Sequence, residues 1–342
     1  MNKEKYKEKE KDNDDKMNRV NLKINGRIFP NFVLKNYSKY KLNKDDLSDK
    51  CGNKEEGVKK KDKLKLYQEF VGDYLSFKNK TVSSILLYYG TGAGKSATTI
   101  NLYNILYNSD HNLNVYLLAK SSLRTTWEHQ LDKWLSPQDK EHRLKNIKFV
   151  NYDNPYLDKD FFEKVKESDA SNRNVYIIDE AHLFISYVYG NIKSGKTRAL
   201  SVYNAIIQDK KENNSRIVAI SATPAINEPF ELGLLFNLLR PDTFPDNETL
   251  FNKYFIDYSL KMPMLSLKMK NLFQRRIIGL VSYYEGASED MFASKHIEFA
   301  DVKMSKYQTD KYMYFDKIEN EMARKNKYNN YKVPTYRSYT RQ

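Results

Sequence analysis

The stretch Ser84-Ile85-Leu86-Leu87-Tyr88-Tyr89-Gly90-Thr91-Gly92-Ala93-Gly94-Lys95-Ser96 decides the fold. Its first six residues make a short apolar run that stops at glycine, as a strand buried on both faces does. After Gly94 the apolar residues Ile100, Leu102, Tyr103, Ile105 and Leu106 follow at helical spacing. A glycine-rich loop between a strand and a helix is the context of a phosphate-binding P-loop. Glycines let successive backbone N–H groups turn toward phosphate oxygens, and the helix start adds its positive dipole end. Gly90, Thr91, Gly92, Ala93, Gly94, Lys95 and Ser96 are therefore the expected nucleotide-binding residues. Lys95 would neutralise the β- and γ-phosphates, and the Ser96 hydroxyl would ligate Mg²⁺, so ATP and Mg²⁺ are the expected cofactors. The full pattern G-x-x-x-x-G-K-[ST] is one glycine short, because Tyr89 stands at its first position.

Outward from this loop, short apolar runs at 115–119, 147–150, 175–178 and 217–220 read as further buried strands. Apolar residues at helical spacing predict helices over 64–77, 123–135, 199–207 and 230–239. Strands alternating with helices imply an α/β fold, a parallel sheet with helices on both faces. The segment 190–196, with Gly190, Gly195 and two lysines, reads as a mobile loop, and 241–247, with Pro241 and Pro245, ends a helix. The run 175–178 leads into Asp179-Glu180-Ala181-His182. A carboxylate at the carboxyl end of such a strand can hold Mg²⁺ through water, and the next one can orient and deprotonate the attacking water. The expected catalytic residues are thus Lys95, Asp179 and Glu180, and the expected metal ligands Ser96 and Asp179.

The single cysteine, Cys51, excludes an internal disulfide and a Cys-based zinc site. No apolar run reaches the roughly 18–20 residues of a membrane span, and the N-terminal residues lack the apolar core of a secretory signal. A soluble intracellular protein is expected. The net charge of +14 is unevenly spread. Residues 1–62 hold 18 Lys and Arg against 12 Asp and Glu, and residues 301–342 hold 10 against 5. Little excess remains between them, so bulk basicity says little about a nucleic-acid partner. Residues 1–62 read as a charged, low-complexity and largely disordered arm. Within it, Asn25-Gly26 between Val20 and Leu34 predicts a small hairpin.

The order of Gly90–Ser96, then Asp179-Glu180-Ala181-His182, then Ser221-Ala222-Thr223-Pro224 resembles motifs I, II and III of helicase superfamily 2. The resemblance implies a RecA-like first helicase lobe. It implies that His182, Ser221 and Thr223 couple the γ-phosphate to the nucleic-acid face, and that Gln68 reads adenine. The segment 117–123, followed by Trp127 and Trp134, resembles motif Ia of the SNF2-like branch, so Lys120, Ser121 and Ser122 are expected to contact the nucleic-acid backbone. The tryptophans read as core anchors. The segment 273–284, with Arg275, Arg276, Gly279 and Ser282-Tyr283-Tyr284, resembles large-DNA-virus, poxvirus-type ATPases. That group includes nucleoside triphosphatase I and the early transcription factor small subunit. Arg240-Pro241-Asp242 fits the same group, and Val302 to Ser305 resembles its crossing into a second lobe.

The family's second lobe, with its Q-x-x-G-R-x-x-R pattern, is not seen before Gln342. The expectation is an arm at 1–62, an ATP-binding lobe at 63–285 and a crossing segment at 286–342, together the N-terminal half of a longer protein or a split gene product. The implied function is an ATP-dependent nucleic-acid helicase or translocase acting on DNA or RNA, with RNA polymerase or a transcription-factor subunit as further partners. A cytoplasmic virus factory or the virion would be its location. The alternative is a non-catalytic DNA-binding transcription subunit with a structural nucleotide site.

Overall fold

The computed structural model describes residues 23–24, 27–42, 63–224, 227–259, 264–285, 298 and 300–328. Most of the expected arm, including the Asn25-Gly26 turn itself, lies outside them. Flanking that turn, β1 (Lys23–Ile24) and β2 (Arg27–Ile28) pair antiparallel, Ile24 against Arg27. Helix α1 (Phe29–Tyr37) follows. Its Phe29 is buried, and Tyr37 meets Phe70 and Tyr74 edge to face. Part of the stretch read as an arm therefore packs on the lobe.

The lobe runs α2 (Leu66–Tyr74), β3 (Ser84–Tyr89), α3 (Lys95–Ser109), β4 (Leu113–Ala119), α4 (Arg124–Trp134), α5 (Lys140–Lys145) and β5 (Ile147–Asn151). Next come α6 (Leu157–Lys166), β6 (Arg173–Ile178), α7 (Ala181–Ser194), α8 (Arg198–Asn213) and β7 (Arg216–Ser221). It closes with α9 (Phe230–Leu239), α10 (Glu248–Phe255), the short antiparallel pair β8 (Ile256–Asp257) and β9 (Met264–Leu265), α11 (Lys270–Ile277) and β10 (Val281–Tyr284). Six strands form one sheet in the order β10-β3-β7-β6-β4-β5, and every pairing is parallel. This is the α/β architecture expected from the strand–helix alternation, and it agrees with the RecA-like lobe that the resemblance implies.

Alternate strand residues feed opposite faces, as a pleat requires. Ile85, Leu87, Val115, Leu117, Val175, Ile177, Val218 and Ile220 pack on one side with α2, α3 and α4. Leu86, Tyr116, Leu118, Val150, Tyr176, Ile178, Ile217 and Ala219 pack on the other with α6 to α10. Each fully buried large apolar side chain contributes about 1.5–3 kcal/mol. The two-sided burial explains why these strands read as unbroken apolar runs rather than as alternation.

Two segments differ from the sequence reading. The segment 190–196 is not a loop: α7 continues to Ser194, and Gly195 at φ +66° ends it. The apolar residues Phe184, Ile185 and Val188 bury that helix and outweigh the propensity of Gly190 to break it. The stretch 281–284, mixed in polarity, becomes the sixth strand by pairing along β3, Val281 opposite Leu86. The helix end expected at 241–247 is present, since α9 stops at Leu239.

Residues 293–342 form a separate unit. Its helix α12 (Lys306–Tyr328) starts at a capping box: Gln308 Oε1 accepts the Ser305 N–H at 2.9 Å, and Ser305 Oγ accepts the Gln308 N–H at 3.3 Å. Among the described residues no helix is long and apolar enough to cross a membrane.

Candidate nucleotide site

All parallel strands point their carboxyl ends the same way, so the loops after β3, β4, β6 and β7 gather at one edge of the sheet. In open α/β sheets that edge is where ligands bind. The loop after β3 carries residues 90–94 into α3. Gly92 and Gly94 both sit at φ +77°, a conformation that side-chain-bearing residues rarely adopt. A Cβ on Gly94 would stand 2.3 Å from Gln68 Nε2. Lys95 folds back over the loop, donating to the carbonyls of Tyr89 (3.2 Å) and Gly90 (3.4 Å). Tyr89, in the place of the missing glycine, is fully buried, and its hydroxyl lies 2.9 Å from Ser282 Oγ.

Gln68 is buried at the third position of α2. Its Oε1 accepts the Lys65 N–H at 2.8 Å, and its Nε2 donates to the Ala93 carbonyl at 3.3 Å. The Tyr67 hydroxyl donates to the same carbonyl at 2.8 Å. The structure thus ties the Gln68 amide to the P-loop backbone. Tyr67 also stacks on Tyr284, ring centroids 4.0 Å apart.

β6 delivers Asp179 beside the P-loop. Asp179 Oδ2 accepts the indole N–H of Trp127 at 2.7 Å, and Oδ1 accepts the Glu180 N–H at 3.0 Å. Burial pushes the Asp179 carboxyl above its usual range, against the pull of the Trp127 hydrogen bond and the Lys95 charge. Glu180 takes the left-handed conformation at φ 45° where α7 begins. A non-glycine residue held there is strained and marks a position fixed by its surroundings. His182 is buried, with its Nδ1 2.7 Å from Ser221 Oγ and 3.3 Å from Glu180 Oε2. Burial lowers the His182 pKa, keeping the ring neutral near pH 7. Ser221 Oγ also accepts the Thr223 N–H at 3.0 Å. His182, Ser221 and Thr223 therefore form one chain of contacts from the Asp-Glu pair to an exposed loop.

The loop after β4 presents Lys120, Ser121 and Ser122, with both serines exposed. Neither serine caps α4. Ser121 instead donates its N–H (3.0 Å) and its hydroxyl (2.9 Å) to Asp153. The tryptophans divide in role: Trp134 is partly buried in the core, whereas Trp127 is buried and also holds Asp179. The motif residues Arg240 and Arg276 are structural. Arg240 donates to the carbonyls of Arg276 and Ile278, and Arg276 to that of Thr243.

Residues 67–338 match the SNF2-related domain family. The chain belongs to it. Over 339 residues it is 47% identical to the protein named as ATP-dependent RNA helicase R350 of Acanthamoeba polyphaga mimivirus, covering 94% of this chain and 40% of that protein. It is 30% identical over 254 residues to nucleoside triphosphatase I of Melanoplus sanguinipes entomopoxvirus, covering 71% of this chain and 37% of that protein. Among solved structures, the SWI2/SNF2 ATPase core of Sulfolobus solfataricus in complex with dsDNA aligns at TM-score 0.38 and 20% identity, over 57% of this chain and 39% of that chain. The chain spans about two fifths of the length of its curated relatives. The two viral relatives carry the names helicase and nucleoside triphosphatase, and the family match spans the P-loop and the Asp179-Glu180 pair.

Against the SNF2 motifs, sequence reasoning missed the indole of Trp127 on Asp179 and the carboxylate of Asp153 on Ser121. Neither has a local signal, because the partners lie 52 and 32 residues apart in the chain.

Proposed function

We propose that the chain is the nucleotide-binding lobe of a nucleic-acid-dependent ATPase, a translocase or transcription ATPase of viral type. The observation that carries the reading is the 2.7 Å contact of His182 with Ser221, which links the Asp179-Glu180 pair to the exposed loop at Thr223. In this reading the backbone N–H groups of 90–94 cradle the phosphates. Lys95 leaves its two loop carbonyls to neutralise them. Gln68 and Tyr67 hold the loop in shape from α2.

Ser96 and Asp179 fit a magnesium ion. Among the described residues no cluster of three or more His, Cys, Asp or Glu gathers. One hydroxyl and one carboxylate, completed by waters and phosphate oxygens, is how Mg²⁺ is usually held. When bound, Mg²⁺ draws off charge that develops on the phosphate oxygens. Glu180 orients the attacking water and accepts its proton, held in place by its left-handed backbone and by His182. Lys120, Ser121 and Ser122 meet strand phosphates through N–H and hydroxyl donors. DNA or RNA is the partner, and the viral curated relatives favour a role in viral nucleic-acid metabolism.

The test is binding of a fluorescent ATP analogue, followed by hydrolysis. Lys95→Ala should weaken binding at least tenfold, whereas Glu180→Gln should bind normally and hydrolyse at least ~100-fold more slowly. Wild-type binding by Lys95→Ala would overturn the assignment of the site.

A further inference from the structure

Asp153 follows the end of β5, outside every motif read from the sequence. Its carboxylate is exposed, yet both oxygens are engaged by one residue. Oδ1 accepts the Ser121 N–H at 3.0 Å and Oδ2 the Ser121 hydroxyl at 2.9 Å. Two donors from one residue meeting two oxygens of one anion is also what a phosphodiester would require of Ser121. These charge-assisted bonds tie the loop after β4 to the end of β5, and their exposure to water leaves them open to exchange with another anion. The position of Asp153 matters as well, because Lys120 and Ser122 flank the same donors.

We propose that Asp153 is a specificity-determining residue of the nucleic-acid face: its carboxylate occupies the Ser121 donors until a strand phosphate displaces it. The proposal rests on the reading of Ser121 as a phosphate contact. It explains how an open donor pair is kept from isolated anions. A lone phosphate must compete with a tethered carboxylate, whereas a continuous backbone engages Lys120 and Ser122 as well and wins the exchange. Displacement leaves Asp153 beside the strand, where its charge continues to subtract from affinity.

The experiment measures equilibrium binding of the full chain to fluorescein-labelled DNA and RNA duplexes by anisotropy at fixed salt. Asp153→Ala should bind about fivefold more tightly than wild type, the scale of one exposed charge interaction. Asp153→Asn, which keeps one acceptor without the charge, should fall between them. Ser121→Ala should bind more weakly. Tighter duplex binding by Asp153→Ala, together with competition by inorganic phosphate that the wild type resists, supports the exchange, since loss of a nearby charge alone would tighten binding without opening the Ser121 donors to free phosphate. Equal or weaker binding by Asp153→Ala, with Ser121→Ala weakened, overturns it and leaves the Ser121 contact standing. Unchanged binding by Ser121→Ala removes the contact itself, and the exchange with it.

Discussion

Gly94 answers two demands at once. Its φ of +77° excludes most side chains, and a Cβ would strike the Gln68 amide. Gly94→Ala should therefore lower the melting temperature by an amount equivalent to about 1–3 kcal/mol and abolish ATP-analogue binding. Thermal unfolding and a binding titration on one preparation check both. Trp127 makes a different kind of contribution, because its indole N–H orients the Asp179 carboxylate that would face the metal. Partners that orient a metal ligand are worth roughly 10–100-fold in metal affinity or activity. Trp127→Phe keeps an aromatic ring in the core and loses the donor. The Mg²⁺ concentration for half-maximal hydrolysis should rise about tenfold, and an unchanged Mg²⁺ requirement would deny the role. Gly94 was legible in the sequence because the P-loop pattern is local. Trp127 read only as a core anchor, since its partner lies 52 residues away.

Helix α8 carries a buried cation at the end of the sheet opposite the P-loop. Lys210 donates to Ser83 Oγ and to the Ser215 carbonyl, and burial together with Arg216 and Arg240 pulls its pKa down to about 7. Unfolded, a lysine titrates near ~10.4. Between those values the unfolded state binds the extra proton, so stability should rise as pH increases from 7 toward 10. Urea denaturation should show wild type gaining on the order of 2 kcal/mol between pH 7 and pH 9 from this group. Lys210→Met should flatten that gain, and an equal gain in both proteins would contradict the assignment. The helices and strands themselves were largely legible, because burial on both faces writes uniform apolar runs. β10 was not, since Val281-Ser282-Tyr283-Tyr284 gains strand geometry only by pairing with β3. The helix over 190–194 was hidden for the converse reason: its glycine and lysines resemble a loop, while the apolar residues that bury α7 lie earlier in the helix.

At the scale of the molecule, one sheet edge collects the P-loop, the Asp179-Glu180 pair, the Ser221-to-Thr223 segment and the Lys120-to-Ser122 segment. The order of these motifs along the chain was readable, and a parallel sheet requires that their loops share an edge. Their cross-connections were not readable, since Ser121 with Asp153 and His182 with Ser221 are set by strand order rather than by sequence proximity. Those connections give the central claim its content: phosphate chemistry on one side is linked to a nucleic-acid face on the other. The most direct test is the ATP hydrolysis rate of the protein carrying this chain, with and without duplex nucleic acid, in wild type and Glu180→Gln. The expected result is a rate raised at least ~10-fold by nucleic acid and lost in Glu180→Gln. A rate indifferent to nucleic acid, or one that survives Glu180→Gln, would contradict it.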